Sequence, residues 1–197
     1  MKSNSYLETI KVCDGEVFNI SYHQERYESV LRLLGVSRYK NLIEYINPPQ
    51  EGLYRCRLVY TLQSIEVTYH EYVKRDVKRL KIIYDDSVEY SLKSTNRDEI
   101  DALYSQRGRY DDVLIIKNSL LSDTSIANIA LYKEGIWYTP SLPLLKGTTR
   151  ARLLDDGKIV EKNIHIDEVK NYSKVALFNA MIDFDIIQEE NIRKIIC

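Results

Sequence analysis

The chain has 197 residues, enough for one large domain or two smaller ones. Its 28 lysines and arginines against 29 aspartates and glutamates leave a formal net charge of −1, which excludes a general electrostatic attraction to nucleic acid or an anionic membrane. Hydrophobic residues at 44% and charged ones at 29% suit a soluble globular protein, and no apolar run approaches bilayer length. Cys13, Cys56 and Cys197 lack CxxC pairing, and no secretory leader precedes them, so reduced thiols and a cytoplasmic home are expected. With 3 histidines and no ligand-like spacing, no metal site is expected.

In chain order, "YLETIKVCDGEVFNI" predicts two strands around an Asp14-Gly15 turn. Ser21 is expected to open a helix with Gln24 as its capping-box partner; Tyr27, Val30, Leu31 and Leu34 recur at helical spacing, and Gly35 suits the C-terminal cap. "KNLIEYINPP" reads as a short helix stopped by Pro48 and Pro49. In "LYRCRLVYTL", Tyr54, Cys56, Leu58 and Tyr60 alternate with Arg55, Arg57, Val59 and Thr61; "SIEVTYHEY" alternates likewise. The charged run "EYVKRDVKRLK" is the expected linker, dividing a small α+β unit, 1–74, from a second, 75–197. Beyond it come a strand toward Tyr90, a helix near 96–107, and a buried strand in "DDVLIIKN". A hairpin follows in "NIALYKEGIWYTP", turning at Glu134-Gly135, then a short helix between Gly147 and Gly157. Strands are expected in "KIVEKNIHI" and "KVALFNAMIDF". The fold class is α+β with two subdomains.

Several residues along this frame could carry chemistry. Gly147-Thr148-Thr149 at a helix start offers backbone N–H groups and two hydroxyls to a phosphate, though an ordinary N-cap explains them as well. Arg26 on the first helix could clamp phosphate or simply be solvated. Asp123 in "LLSDTSIANI" reads as a residue of a small-residue loop, either capping it or facing a cofactor as a fixed anion. Arg55 and Arg57 share one strand face, which suits substrate carboxylates or plain solvent. Lys93, in "LKSTN" between a strand-like and a helix-like run, is by itself a surface charge.

The order of these motifs is informative. "ETIKV", "HQER", "LKSTN", "YDDVLIIKN", "SDTSIANI", "GIWYTP" and "LLKGTTR" resemble the class IV aminotransferase family, from about Tyr6 to Phe184. The resemblance implies a two-subdomain, fold-type IV enzyme of the D-amino-acid aminotransferase-like kind, truncated at its N-terminal part and with its substrate-carboxylate loop reduced to "TLQSIEV". It implies pyridoxal 5′-phosphate (PLP) as cofactor and a homodimer acting on a small amino substrate. Lys93 then matches the Schiff-base lysine, carried by the second subdomain, and Arg26 the phosphate-binding arginine. Thr148 and Thr149 match the phosphate loop, and Asn179 falls where the lyases carry an Asn-Ser pair, with Ala180 in place of the serine. Asp123 stands where the family usually places a glutamate against the pyridine nitrogen. The reaction implied is that of 4-amino-4-deoxychorismate lyase, which makes 4-aminobenzoate and pyruvate on the folate route. A D-amino-acid or branched-chain aminotransferase is the alternative, and a PLP-binding protein without turnover is a third.

Overall fold

A computed structural model describes residues 5–189 and 191–197. The chain divides into two compact units: Met1–Lys74 with Leu92–Asn96, and Arg75–Ser91 with Arg97–Cys197. The break falls in the charged run. Lys93, expected in the second unit, returns to the first.

The first unit is an antiparallel sheet with a helix on its face, and the short helix expected in "KNLIEYINPP" is a 3-10 helix over Leu42–Tyr45. Its elements are β1 (Tyr6–Cys13), β2 (Glu16–Val17), α1 (Ile20–Leu33), β3 (Leu53–Tyr60) and β4 (Ile65–Glu71), in sheet order β2-β1-β3-β4. Asp14 and Gly15 take φ of 48° and 81°, the backbone a two-residue turn between twisted strands requires. Ile10, Val12, Cys56, Leu58 and Tyr60 face Tyr27, Val30 and Leu31 of α1 across one core. Helix α1 starts one residue earlier than expected, after Asn19 in the left-handed region. Gln24 does not complete a capping box, because its amide bridges to a later segment: Oε1 accepts from Leu42 N at 2.8 Å and Nε2 donates to Lys40 O at 2.9 Å. Leu34 is 38% exposed, since the helix has already ended in a Schellman turn, Val36 N to Leu31 O and Gly35 N to Arg32 O.

The physical reason for the return of Lys93 lies in β1. β2 pairs only with Val12 and Cys13, so the Tyr6 end of β1 would present unpaired N–H and C=O groups. The 92–96 segment covers that edge: Leu7 N donates to Lys93 O at 2.9 Å, Thr95 N donates to Ser5 O at 3.0 Å, and Leu92 packs on the core.

The second unit contains β5 (Leu80–Tyr84), α2 (Asp98–Ser105), β6 (Asp112–Lys117), β7 (Leu120–Thr124), β8 (Asn128–Lys133) and β9 (Ile136–Pro140). It continues with α3 (Thr148–Asp155), β10 (Val160–Lys162), β11 (Lys174–Asn179), β12 (Asp183–Ile186) and α4 (Ile192–Ile195). Its sheets are ordered β5-β6-β7 and β10-β9-β8-β11-β12. Three expectations change here. The strand expected to run to Tyr90 stops at Tyr84, because the Asp85 carboxylate accepts from Ser87 N and Val88 N at 2.8 and 2.9 Å and turns the chain. "KIVEKNIHI" supplies only three strand residues before a 3-10 helix over Ile166–Asn171, opened by the His165 side chain accepting from Asp167 N. "KVALFNAMIDF" is two antiparallel strands, β11 and β12, not one. Asn179 makes the turn: its Oδ1 accepts from Met181 N and Ile182 N at 2.9 and 3.1 Å.

Candidate active site

In the first unit, the alternation of β1 points Glu8 to the same face as Ile10 and Val12, toward α1. His23 and Arg26, three residues apart on α1, meet it there. Glu8 is completely buried and accepts three bonds: from Arg26 Nε at 2.9 Å, Arg26 Nη2 at 2.5 Å and His23 Nδ1 at 2.6 Å. Burial alone would raise the carboxyl pKa, but the Arg26 charge and the bonds from His23 and Arg26 outweigh it and hold Glu8 down at about 2. Glu8 is therefore an anion at any physiological pH. An ionised carboxylate can only accept, so His23 carries its proton on Nδ1. Burial pulls the pKa of that imidazole down, against the bond it donates to Glu8 and the charge of Glu8, and the charges of Arg26 and Lys93 act in the same direction as burial. Nε2 is left with a lone pair. Arg26 spends Nε and Nη2 on Glu8 and stays 12% exposed, which leaves Nη1 as its remaining donor nitrogen.

In the second unit, Asp123 lies on strand β7 rather than in a loop, and it is 5% exposed. The small residues that follow it make the turn from β7 into β8, where Thr124 Oγ1 accepts from Ala127 N at 3.0 Å. Its Oδ1 accepts from Asn128 Nδ2 at 2.7 Å and its Oδ2 from Leu145 N at 2.9 Å, while Asn128 Nδ2 also donates to Leu145 O at 2.9 Å. These bonds brace the turn leading into α3. Gly147 caps that helix because nothing larger fits: a Cβ there would stand 2.1 Å from Asn128 Oδ1. Among the described residues no side chain caps the α3 N-terminus, its first turn has no acid, and Thr148 and Thr149 are buried beside it. The N–H groups and the positive end of the helix dipole are thus arranged for an anion.

Asp123 differs from Glu8 in its partners. Burial pushes its carboxyl up to about 6, and the N–H bonds from Leu145 and Asn128 and the charge of Arg150 offset only part of this. Arg150 is itself committed elsewhere, donating to Pro140 O at 2.9 Å and Glu161 Oε1 at 2.5 Å. Asp123 thus holds neutral donors only, and a cationic N–H at contact would stabilise its charged form. A protonated pyridine nitrogen is such a donor, and an uncapped helix N-terminus suits a phosphate. The residues present fit PLP.

The expected site residues thus fall into two groups. Arg26 and Lys93 share the first unit; Asp123, Thr148 and Thr149 share one braced corner of the second. Asn179 donates through Nδ2 to Ile126 O at 3.1 Å, so both ends of its amide hold backbone. Arg55 and Arg57 pair across the sheet with Lys11 and Thr9, on the face opposite Glu8, and the structure does not bring them to Arg26. Glu8, His23 and Asn128 join the expected residues in these two groups. Glu8 carried a signal: an acid at a position whose neighbours two away, Tyr6 and Ile10, are apolar.

Comparison with known proteins extends this geometry. The sequence pattern of the family described as amino-transferase class IV matches residues 5–188. An uncharacterized protein of Haemophilus influenzae is 38% identical over 180 residues, 88% of this chain and 96% of that one. The solved structure of a "putative 4-amino-4-deoxychorismate lyase" from Haemophilus somnus superposes with a TM-score of 0.84 at 32% identity, covering 92% of this chain and 97% of that one. The branched-chain amino acid aminotransferase of Escherichia coli shares the fold, with a TM-score of 0.74 at 14% identity over 95% of this chain and 77% of that one.

Proposed function

The chain belongs to the class IV aminotransferase family and is an enzyme of that kind, and on this premise we propose that it is a PLP-dependent lyase. The reaction proposed is conversion of 4-amino-4-deoxychorismate to 4-aminobenzoate and pyruvate. The observation that carries the cofactor reading is the braced corner of the second unit, where a buried carboxylate bonded to neutral donors adjoins an uncapped helix start. Likeness to the Haemophilus somnus protein over nearly its whole length supports the lyase over the aminotransferase reading.

In this reading the α3 N–H groups and the Thr149 hydroxyl of the second unit would receive the cofactor phosphate, and Arg26 Nη1 is, within the first unit, a donor suited to a phosphate. Asp123 accepts from the pyridine nitrogen and keeps its proton in place. Bound PLP supplies the electron sink that acidifies the carbon bearing the substrate amine. Lys93 Nζ would hold the cofactor and would be the base that takes the proton from that carbon. Loss of pyruvate makes the ring aromatic, so the elimination is downhill and needs no second substrate.

Mixing the protein with PLP and 4-amino-4-deoxychorismate tests this reading. Pyruvate and 4-aminobenzoate in equal amounts, with no keto acid added, is the expected result. Turnover only with an added keto acid would make it an aminotransferase, and PLP binding without either product would make it a binding protein.

A further inference from the structure

The "ETIKV" glutamate and the "HQER" histidine have no part in the chemistry above, yet they are the most deeply buried polar side chains of the first unit. We infer that Glu8 is a positioning residue: it fixes the plane of the Arg26 guanidinium through two bonds, aims Nη1 at the cofactor phosphate, and holds His23 as its Nδ1–H tautomer. This rests on the reading of Arg26 as a phosphate group's partner.

The geometry is specific. An arginine held by one bond can rotate about its long side chain, whereas bonds to Nε and Nη2 from one carboxylate define its plane. Glu8 is itself held in place, since β1 pairs with β3 along its whole length and sets Glu8 opposite Leu58 in register. His23 completes the carboxylate's set of acceptor bonds, from the same helix as Arg26. Burial lowers its pKa, which disfavours a further positive charge beside Arg26 and Lys93.

Charge counting and positioning predict opposite signs for one substitution. Glu8→Gln removes a negative charge beside the phosphate site while nearly preserving shape. If Glu8 acted through charge alone, the variant would bind phosphate more tightly. If Glu8 acts by orienting Arg26, the variant binds it more weakly, because an amide offers one acceptor where the carboxylate offered two, and its NH2 faces either the guanidinium or the His23 proton.

The experiment titrates the full-length wild type and Glu8→Gln with PLP and with pyridoxal, its phosphate-free analogue, followed by visible absorbance. Wild type should prefer PLP, and Glu8→Gln should lose roughly tenfold or more of that preference, the order expected of one charge-assisted bond. A general loss of structure would weaken both ligands and leave the ratio alone. An unchanged or larger PLP preference in the variant overturns the role of Glu8 while sparing Arg26. A wild type that does not distinguish PLP from pyridoxal overturns the phosphate reading and this inference together. Should Glu8→Gln not fold, nitrogen-15 NMR of His23 in the wild type still decides. A protonated Nδ1 with a bare Nε2 at neutral pH is expected; the opposite tautomer or an imidazolium overturns the arrangement.

Discussion

Glu8 in the first unit and Asp123 in the second are both buried carboxylates on β-strands, and they behave in opposite ways. Glu8 meets a guanidinium through two bonds and sits at about 2, far below an ordinary glutamate. Asp123 meets an amide and a backbone N–H and rises to about 6. Burial is the same, so the partner decides the charge. The first unit is self-sufficient: its anion and cation neutralise each other. The second carries an acid braced by neutral donors, which suits a group that arrives with its own positive charge.

The most direct way to break this contrast is to remove the self-sufficient anion. Glu8→Ala leaves Arg26 facing a cavity and should cost roughly 3–5 kcal/mol of stability, the scale of an orphaned buried ion-pair partner. Urea unfolding measures it, and a loss below about 1 kcal/mol, the scale of an exposed pair, would show that the charge pair is solvated.

The next effect is in the pH dependence, where the signs differ. Glu8 has a depressed pKa, so its contribution is full above the unfolded value of 4.5 and is lost as pH falls toward 2. Asp123 has a raised one, so the folded state binds the extra proton between 3.8 and about 6, and stability falls as pH rises through that window. A shift of this size corresponds to something on the order of 3 kcal/mol. Asp112, also buried with a raised pKa, titrates in the same direction, so the difference between wild type and Asp123→Asn isolates Asp123. The wild type should lose about 2 kcal/mol of that stability relative to the variant from pH 4 to 6; parallel curves would mean that Asp123 titrates normally.

Gly147→Ala sharpens the comparison at the corner that Asp123 braces. The added Cβ collides with Asn128 Oδ1 and must dislodge it from Asp123, costing about 1–3 kcal/mol. Weakened PLP binding should accompany the lower unfolding midpoint. The smallest expected change is Thr149→Val, which removes one hydroxyl and should raise the PLP dissociation constant roughly tenfold, with the fold unaltered. Equal affinity would place the phosphate away from the α3 start.

Much of this frame was legible in the sequence. Asp14-Gly15 and Glu134-Gly135 named their turns because both require positive φ, and Val30 and Leu31 marked the buried stripe of α1. Asp123 was legible as a residue of interest but not as a strand residue, since small polar side chains serve turns and tight sheet packing equally well. Asn179 hid a turn inside an apolar run because the bonds that bend the chain come from its own side chain. The return of Lys93 to the first unit was illegible, because it depends on which strand edge remains open once β2 proves only two residues long. Glu8 pairs with residues 15 and 18 positions away, on an element of another type, and no local pattern carries that information.

Lys93 is where the account is most exposed. The protein is loaded with PLP, reduced with borohydride, digested, and its peptides weighed, with Lys93→Ala treated in parallel. The account predicts a pyridoxyl mass on the peptide containing Lys93 and none anywhere in the variant. The same mass on another lysine, or its persistence in Lys93→Ala, would contradict it.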